Sequence, residues 1–379
     1  MRFSSAFLRR FAPALILPFL RLQGCGRFAP HPAREYVYVW VRGTFLRDRV
    51  AAVSNRVAEV TNGQRLEVVE HGRRFLKVKT SKGEIGWIED HAVIDQQVYD
   101  QFQQMKKDNA QDPVVATGVL REDYWLRDAP GRTSDRFTLL PENTKLQLLM
   151  RASVPRPEAP QPLPLPVKKA VAPEKKRKMD LEDLANPALE DYWLVRDSSG
   201  QVGWVRGRTL DEDVPDAIAG LAEGQKIIGA YVLKTVSDPE APGGQAGEYV
   251  TVLGPWRDGL PFDFDQVRVF TWNVKKHRYE TAYRERNIAG YLPVTVGQET
   301  VNHQVEPVFS FRVATDPEAA SLDPQTGRVR EGTTTLESYQ MEGVIVRRAG
   351  APTERTAPAP GGAAERRPER RGRHRRRVR

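Results

Sequence analysis

The stretch GEIGWI, Gly83 to Ile88, returns as GQVGWV at Gly200 to Val205, with both glycines and the tryptophan in the same places. Self-similarity inside one chain constrains its architecture more than any single motif does. Upstream, Phe45 to Val69 lies on Trp125 to Leu149 without a gap, at a constant offset of 80 residues. Leu46-Arg47-Asp48 meets Leu126-Arg127-Asp128, Ser54 meets Ser134, Arg56 meets Arg136 and Leu66 meets Leu146. Further on, Phe75 to Ile88 aligns with Tyr192 to Val205 at an offset of 117, so the second copy carries 37 more residues, the difference between the two offsets.

Both copies read as short strands joined by tight turns. Leu66 and Val68, like Leu146 and Leu148, share one strand face. The turn before them places Gly63 opposite Asn143, the two residue types that most readily take positive φ. Lys82-Gly83 and Ser199-Gly200 read as hairpin turns. After them, period-two alternation puts Ile85 with Trp87, and Val202 with Trp204. Aromatic burial assigns Trp87 and Trp204 to the core, with Gly86 and Gly203 on the other face, where a missing side chain admits a second backbone. A helix is expected after each copy, at Asp95 to Lys107 with Val98, Phe102 and Met105 on one face, and at Asp213 to Gly224 with Val214, Ile218 and Leu221.

The extra residues of copy two run through VPRPEAPQPLPLPVKKAVAPEKKRKMD, Val154 to Asp180. Prolines this dense exclude a helix and predict an extended segment ending in a basic cluster, either a loop between two strands or a docking spacer. From about Ile227 the pattern is β again. VRVFTW (Val267 to Trp272) and RYETAYR (Arg278 to Arg284) form a hairpin across Asn273 to His277, with Val267, Val269 and Thr271 opposite Arg268, Phe270 and Trp272. Further strands are expected at Val308 to Val313 and Val344 to Arg347. The fold class is therefore mainly β: two small barrels, then an antiparallel β-rich domain, with short connecting helices. The expected boundaries are barrel 1 at 36–95, a helix within 96–112, barrel 2 at 113–210 with its insertion at about 151–187, a helix within 211–226, the β-rich domain at 227–348 and an Arg-rich tail at 349–379. Asp263 and Asp265 read as a turn entering a strand rather than as paired catalytic carboxylates, and His277 and His303 each lack a second metal ligand at recognisable spacing.

Charge locates the tail as a separate segment. Between Glu365 and Arg379 nine arginines face two glutamates, a net +7 of the formal +9 carried by 379 residues. The remainder is near neutral, which argues against nucleic acid as the partner of the folded part; Arg366 to Arg379 reads as a solvated tail for an anionic lipid or polymer. At the other end, Arg9 and Arg10 precede the apolar run Phe11 to Leu20, an order that describes an export signal over 1–24. The run is far short of the roughly 20 residues needed to cross a bilayer. Leu22-Gln23-Gly24-Cys25 resembles a lipobox, which would make Cys25 a lipid anchor; the alternative is a non-lipidated signal with a free thiol. The expected location is the cell envelope, lipid-anchored and facing the periplasm.

The short strands, glycine turns and the ending G-[IV]-G-W-[IV] resemble the bacterial SH3 family, over about Tyr38 to Asp95 and Val115 to Leu210. Phe75 stands where that family often has tryptophan, and copy two departs by its insertion. The resemblance implies small barrels that recognise a peptide or a cell-wall glycopeptide through aromatic side chains around their loops. In copy two these are Tyr124, Trp125, Tyr192 and Trp193. Such modules often accompany Cys-His cell-wall hydrolases, but Cys25 is the one thiol of the chain and sits in the export segment, so that mechanism is unavailable. There is no G-x-S-x-G elbow, H-E-x-x-H or P-loop. The sequence thus points to a non-catalytic envelope binding or scaffold protein without cofactor or metal. Two alternatives are an assembly factor held to anionic surfaces by its tail, and an enzyme of unrecognised type in the C-terminal domain.

Overall fold

The computed structural model describes residues 34–157, 181–301 and 303–349. The expected export segment with Cys25, most of the proline- and lysine-rich insertion, and the Arg366 to Arg379 tail lie outside the described residues. The described chain is mainly β, in antiparallel sheets.

The first repeat comprises β1 (Tyr36–Val39), β2 (Gly43–Arg47), β3 (Arg56–Thr61), β4 (Arg65–His71), β5 (Phe75–Lys79), β6 (Ile85–Glu89) and β7 (Val93–Asp95), in the order β3-β2-β6-β5-β4-β1-β7. Helix α1 (Gln96–Asp108) follows, capped where the Asp95 carboxylate accepts from Val98 N–H at 2.8 Å. The second repeat comprises β8 (Ala116–Leu120), β9 (Tyr124–Arg127), β10 (Arg136–Leu140), β11 (Lys145–Pro155), β12 (Leu189–Arg196), β13 (Val202–Arg206) and β14 (Leu210–Glu212). Its order, β10-β9-β13-β12-β11-β8-β14, is that of the first repeat strand for strand. β6 and β7 fall on β13 and β14 residue for residue at the 117 offset. Gly63 (φ 81°) and Asn143 (φ 61°) both take the left-handed conformation expected of that turn. The insertion leaves from a lengthened hairpin, since β11 and β12 stay paired out to Pro155 and Leu189.

The strand faces of GEIGWI are the reverse of the expectation. Gly86 and Ile88 point inward, onto a core of Val37, Val39, Leu46, Val60, Leu66 and Val78, whereas Ile85 is exposed and Trp87 is half-buried on the outside beneath Lys77. The reason is the strand crossing at β2. A Cβ on Gly86 would lie 2.8 Å from Leu46 Cβ, and one on Gly203 would lie 2.7 Å from Leu126 Cβ, so the inner position admits only glycine and the tryptophan is left outside. Trp204 is nevertheless buried. It clusters with Leu149, Tyr192, Leu194 and Val202, against Met105 of α1. α1 thus covers on repeat two a face that repeat one leaves open.

α1 also joins the repeats. Tyr99 stacks on Tyr38 with ring centroids 3.7 Å apart, and Phe102 meets Phe137 at 5.7 Å. Beside them the Asn62 amide nitrogen donates to Trp40 O at 2.7 Å and Phe137 O at 2.8 Å, and its oxygen accepts from Leu139 N–H at 3.2 Å.

The second connecting helix is shorter than expected: α2 is Asp216–Ala219, begun after Pro215 and ended at Gly220. It leads to β15 (Lys226–Ser237), β16 (Gln245–Gly254), β17 (Phe264–Asn273), β18 (Arg278–Val301), β19 (Gln304–Ala314), a two-stranded ribbon of β20 (Ser321–Leu322) and β21 (Val329–Arg330), β22 (Thr334–Glu342) and β23 (Ile345–Arg348). The large sheet has the order β15-β16-β17-β18-β19-β22-β23. One face brings Val250, Val252, Val267, Val269, Phe309, Phe311 and Met341 into a core continuous with that of repeat two. The opposite face carries Phe270 against Ile218 and Ala222 of the α2 region. The hairpin at Asn273 to His277 forms as expected, and Asp238 latches it by accepting from Trp272 Nε1 at 2.7 Å and meeting His277 Nδ1 at 2.8 Å.

Candidate functional site

The four aromatic residues expected around the barrel loops do not form one surface. Tyr192 and Trp193 are 1% and 4% exposed, which corrects their placement: both side chains of this adjacent pair are buried because β12 is covered on each face. The Tyr192 hydroxyl donates to Glu190 at 3.1 Å. Burial pushes the Glu190 carboxyl up, but the Arg132 hydrogen bonds and the Arg206 charge outweigh it and hold the carboxyl at about 2. Tyr124 and Trp125 are half-buried, and Trp125 Nε1 donates to Trp40 O at 3.1 Å within the junction of the repeats. Asp263, discounted as catalytic, proves to be one of two carboxylates in a buried ion network.

That network forms the wall of a cleft of about 270 Å³ between repeat two and the large sheet. At its base Arg151, on β11, meets Asp191 and Asp263, each at 3.1 Å. It also donates to Leu260 O at 2.8 Å, Phe262 O at 2.7 Å and, more loosely, Ser153 Oγ at 3.4 Å. Burial works against the Arg151 charge, but the two aspartates outweigh it and raise the guanidinium above its usual range. Asp191 is fixed in turn by the Ser153 hydroxyl at 2.6 Å and Gly259 N–H at 2.9 Å, and Asp263 by Leu292 N–H at 3.0 Å. Arg151 is therefore saturated, and its work is to join the sheet to repeat two.

The open side of the cleft differs. Trp256, in the turn Gly254-Pro255-Trp256-Arg257-Asp258-Gly259, is 52% exposed, and Lys226 Nζ lies 5.7 Å from its ring centroid. The Lys226 ammonium donates to Gly207 O at 2.8 Å, and among the described residues it forms no ion pair. Burial lowers its pKa, opposed by the charges of Asp191 and Asp258. Asp258 is raised by burial and by Asp191, while Arg208 at 3.2 Å and Arg156 at 2.9 Å pull it back. Arg121, held by Asp211, and Arg257, held by Glu182, complete the rim. Five cations against three aspartates line the cleft, beside an exposed aromatic face. The lining has no hydroxyl, thiol or imidazole group, so what it offers a ligand is charge pairing and stacking.

No protein-family model matches the chain, and no curated protein matches it. Among solved structures, NlpC2 from Trichomonas vaginalis is similar at 8% identity and a TM-score of 0.15, covering 68% of this chain and 98% of that one. NlpC1 from Trichomonas vaginalis gives 8% identity and a TM-score of 0.15, over 68% and 95%. At that score neither likeness bears on fold or chemistry.

Proposed function

We propose that this is a non-catalytic binding and scaffold protein of the bacterial cell envelope, built on two SH3-like repeats, that recognises a peptide or cell-wall glycopeptide. One observation carries the reading: Trp256 presents an exposed ring beside the ammonium of Lys226, the one cation of the cleft lining that has no ion-pair partner among the described residues. A sugar or peptide plane stacks on such a ring while a neighbouring carboxylate takes the ammonium. Glycopeptides of the cell wall bring those two groups together. The repeat pattern and the expected export segment support a location in the compartment where that polymer lies.

The test is retention of the full-length protein on intact sacculi at low salt, read together with quenching of tryptophan fluorescence by soluble glycopeptide. Trp256→Ala and Lys226→Met are each expected to weaken binding by about tenfold, the size of one lost stacking or charge contact. No retention at low salt overturns the cell-wall reading. Retention indifferent to both substitutions moves the site out of the cleft.

A further inference from the structure

On the sheet face opposite the shared core, three arginines stand together. Arg268 on β17 is the direct cross-strand partner of Arg284 on β18, and two residues along Arg286 faces Gln266. Like charges placed directly opposite destabilise an antiparallel pair, so this arrangement is a cost that packing alone does not require. Arg268 is also 1% exposed. Its Nε donates to Gln266 Oε1 at 2.7 Å and its Nη1 to Leu221 O at 2.6 Å.

The carboxylate that meets all three guanidiniums is Glu223, at 2.6 Å from Arg284 and 3.3 Å from both Arg268 and Arg286. It comes from the turn between α2 and β15, is itself exposed, and sits at φ 56°, a conformation that side-chain-bearing residues seldom adopt. One carboxylate, carried by a turn, thus meets three guanidiniums, of which Arg268 is buried and Arg284 and Arg286 are exposed. Beside it opens a cavity of about 330 Å³, bordered by Arg268, Arg286, Asn287, Gln225 and two further carboxylates, Asp265 and Glu182, the latter turned to Arg257 at 3.2 Å. Gln225 Oε1 is buried there without a hydrogen-bond partner.

We propose that the Arg268, Arg284 and Arg286 cluster binds a phosphate monoester, and that Glu223 is a tethered carboxylate occupying the anion position until the phosphoryl group displaces it. Three guanidiniums converging from two strands match the three terminal oxygens of a tetrahedral phosphoryl group better than they match one planar carboxylate. The charge of such a group, about −1.5 to −2 at neutral pH, exceeds the single charge of the Glu223 carboxylate it would displace from the three guanidiniums. A hydroxyl of the phosphate or of an attached sugar supplies the donor that Gln225 Oε1 lacks. This site is separate from the Trp256 cleft and does not depend on its ligand.

The experiment is calorimetric titration of the full-length protein with inorganic phosphate, alongside co-sedimentation with phosphatidylcholine vesicles with and without phosphatidic acid. The proposal expects opposite responses from two exposed, foldable variants. Glu223→Gln removes the internal competitor and tightens binding about tenfold, as freeing a binding-competent state does. Arg284→Gln weakens it by at least about tenfold through loss of a charge-assisted contact. Response to phosphate without vesicles identifies a soluble phosphate ester, and response to phosphatidic acid alone identifies a lipid headgroup. If neither ligand distinguishes the two variants, or if Glu223→Gln lowers only the urea midpoint, Glu223 merely fastens its turn and the proposal is overturned.

Discussion

Replacing Arg151 with methionine should cost far more than its ion-pair distances suggest. Arg151 lies 3.1 Å from each of two aspartates, and its side chain is 7% exposed. Lys276 lies closer to its partner, 2.8 Å from Glu280, but those side chains are 56% and 35% exposed. If distance governed, Lys276→Met would be the more damaging change. Burial reverses the order. Removing one partner from a buried pair leaves uncompensated charge in a poorly solvated place and costs about 3–5 kcal/mol, whereas an exposed pair contributes about 0–1 kcal/mol. Two aspartates would lose the cation between them, and the Leu260 and Phe262 carbonyls their donor, all at once, so the upper part of that range is expected. Urea denaturation of the two single variants, followed by far-UV circular dichroism, gives both numbers. The triple variant Arg151→Met, Asp191→Asn, Asp263→Asn should recover at least about half the loss, because it removes the stranded charges as well as the cation. Equal losses from Arg151→Met and Lys276→Met, or a loss below about 1 kcal/mol for the former, would refute the argument from burial.

Gly86→Ala and Gly203→Ala should each destabilise by about 1–3 kcal/mol, since each new methyl meets a fixed leucine and a backbone carbonyl where two strands cross; urea midpoints check this, and a loss at one site without the other would break the equivalence of the repeats. Glu190 should make the fold acid-sensitive. Its folded value of about 2 lies below the ordinary 4.5, so its stabilisation is complete above that ordinary value and is lost as pH falls through about 2. Glu190→Gln should flatten the fall in stability across that window by about 2 kcal/mol, after allowing for screening of the half-exposed Arg132; an unchanged pH profile would remove the assignment. Trp256→Ala, by contrast, should leave the unfolding free energy from urea denaturation within about 0.5 kcal/mol of the parent, because an exposed ring contributes little to folding; a larger loss would make Trp256 a structural residue.

Much of this architecture is legible in the chain itself, because turns and repeats are local. The two offsets locate equivalent strands to the residue at β6 and β13, and Gly63 and Asn143 disclose a shared turn through their common tolerance of positive φ. Face assignment fails where it relies on apolar alternation alone. In Gly86-Trp87-Ile88 the tryptophan is the stronger hydrophobic signal, yet the crossing of β2 needs the residue without a side chain on the inside. Tyr192 and Trp193 look like a displayed aromatic pair but are buried on both faces, because α1 and the large sheet cover the second repeat. The cleft is harder still to see, since its walls are drawn from Arg121 to Asp263 and only tertiary packing assembles them. The one local hint is Trp256, an aromatic set in a Gly- and Pro-bounded turn with no alternation that could bury it.

Asn62 has a consequence for how these molecules meet one another. β10 is the terminal strand of its sheet, with β9 as its one strand neighbour. The side-chain amide of Asn62 pairs with Phe137 O and Leu139 N–H as a neighbouring peptide unit would. It serves as a one-residue counterfeit strand, and an incoming chain seeking to extend the sheet there finds the template already taken. The contact that joins the repeats is in this way also what closes the edge of β10 at Phe137 and Leu139 to another strand.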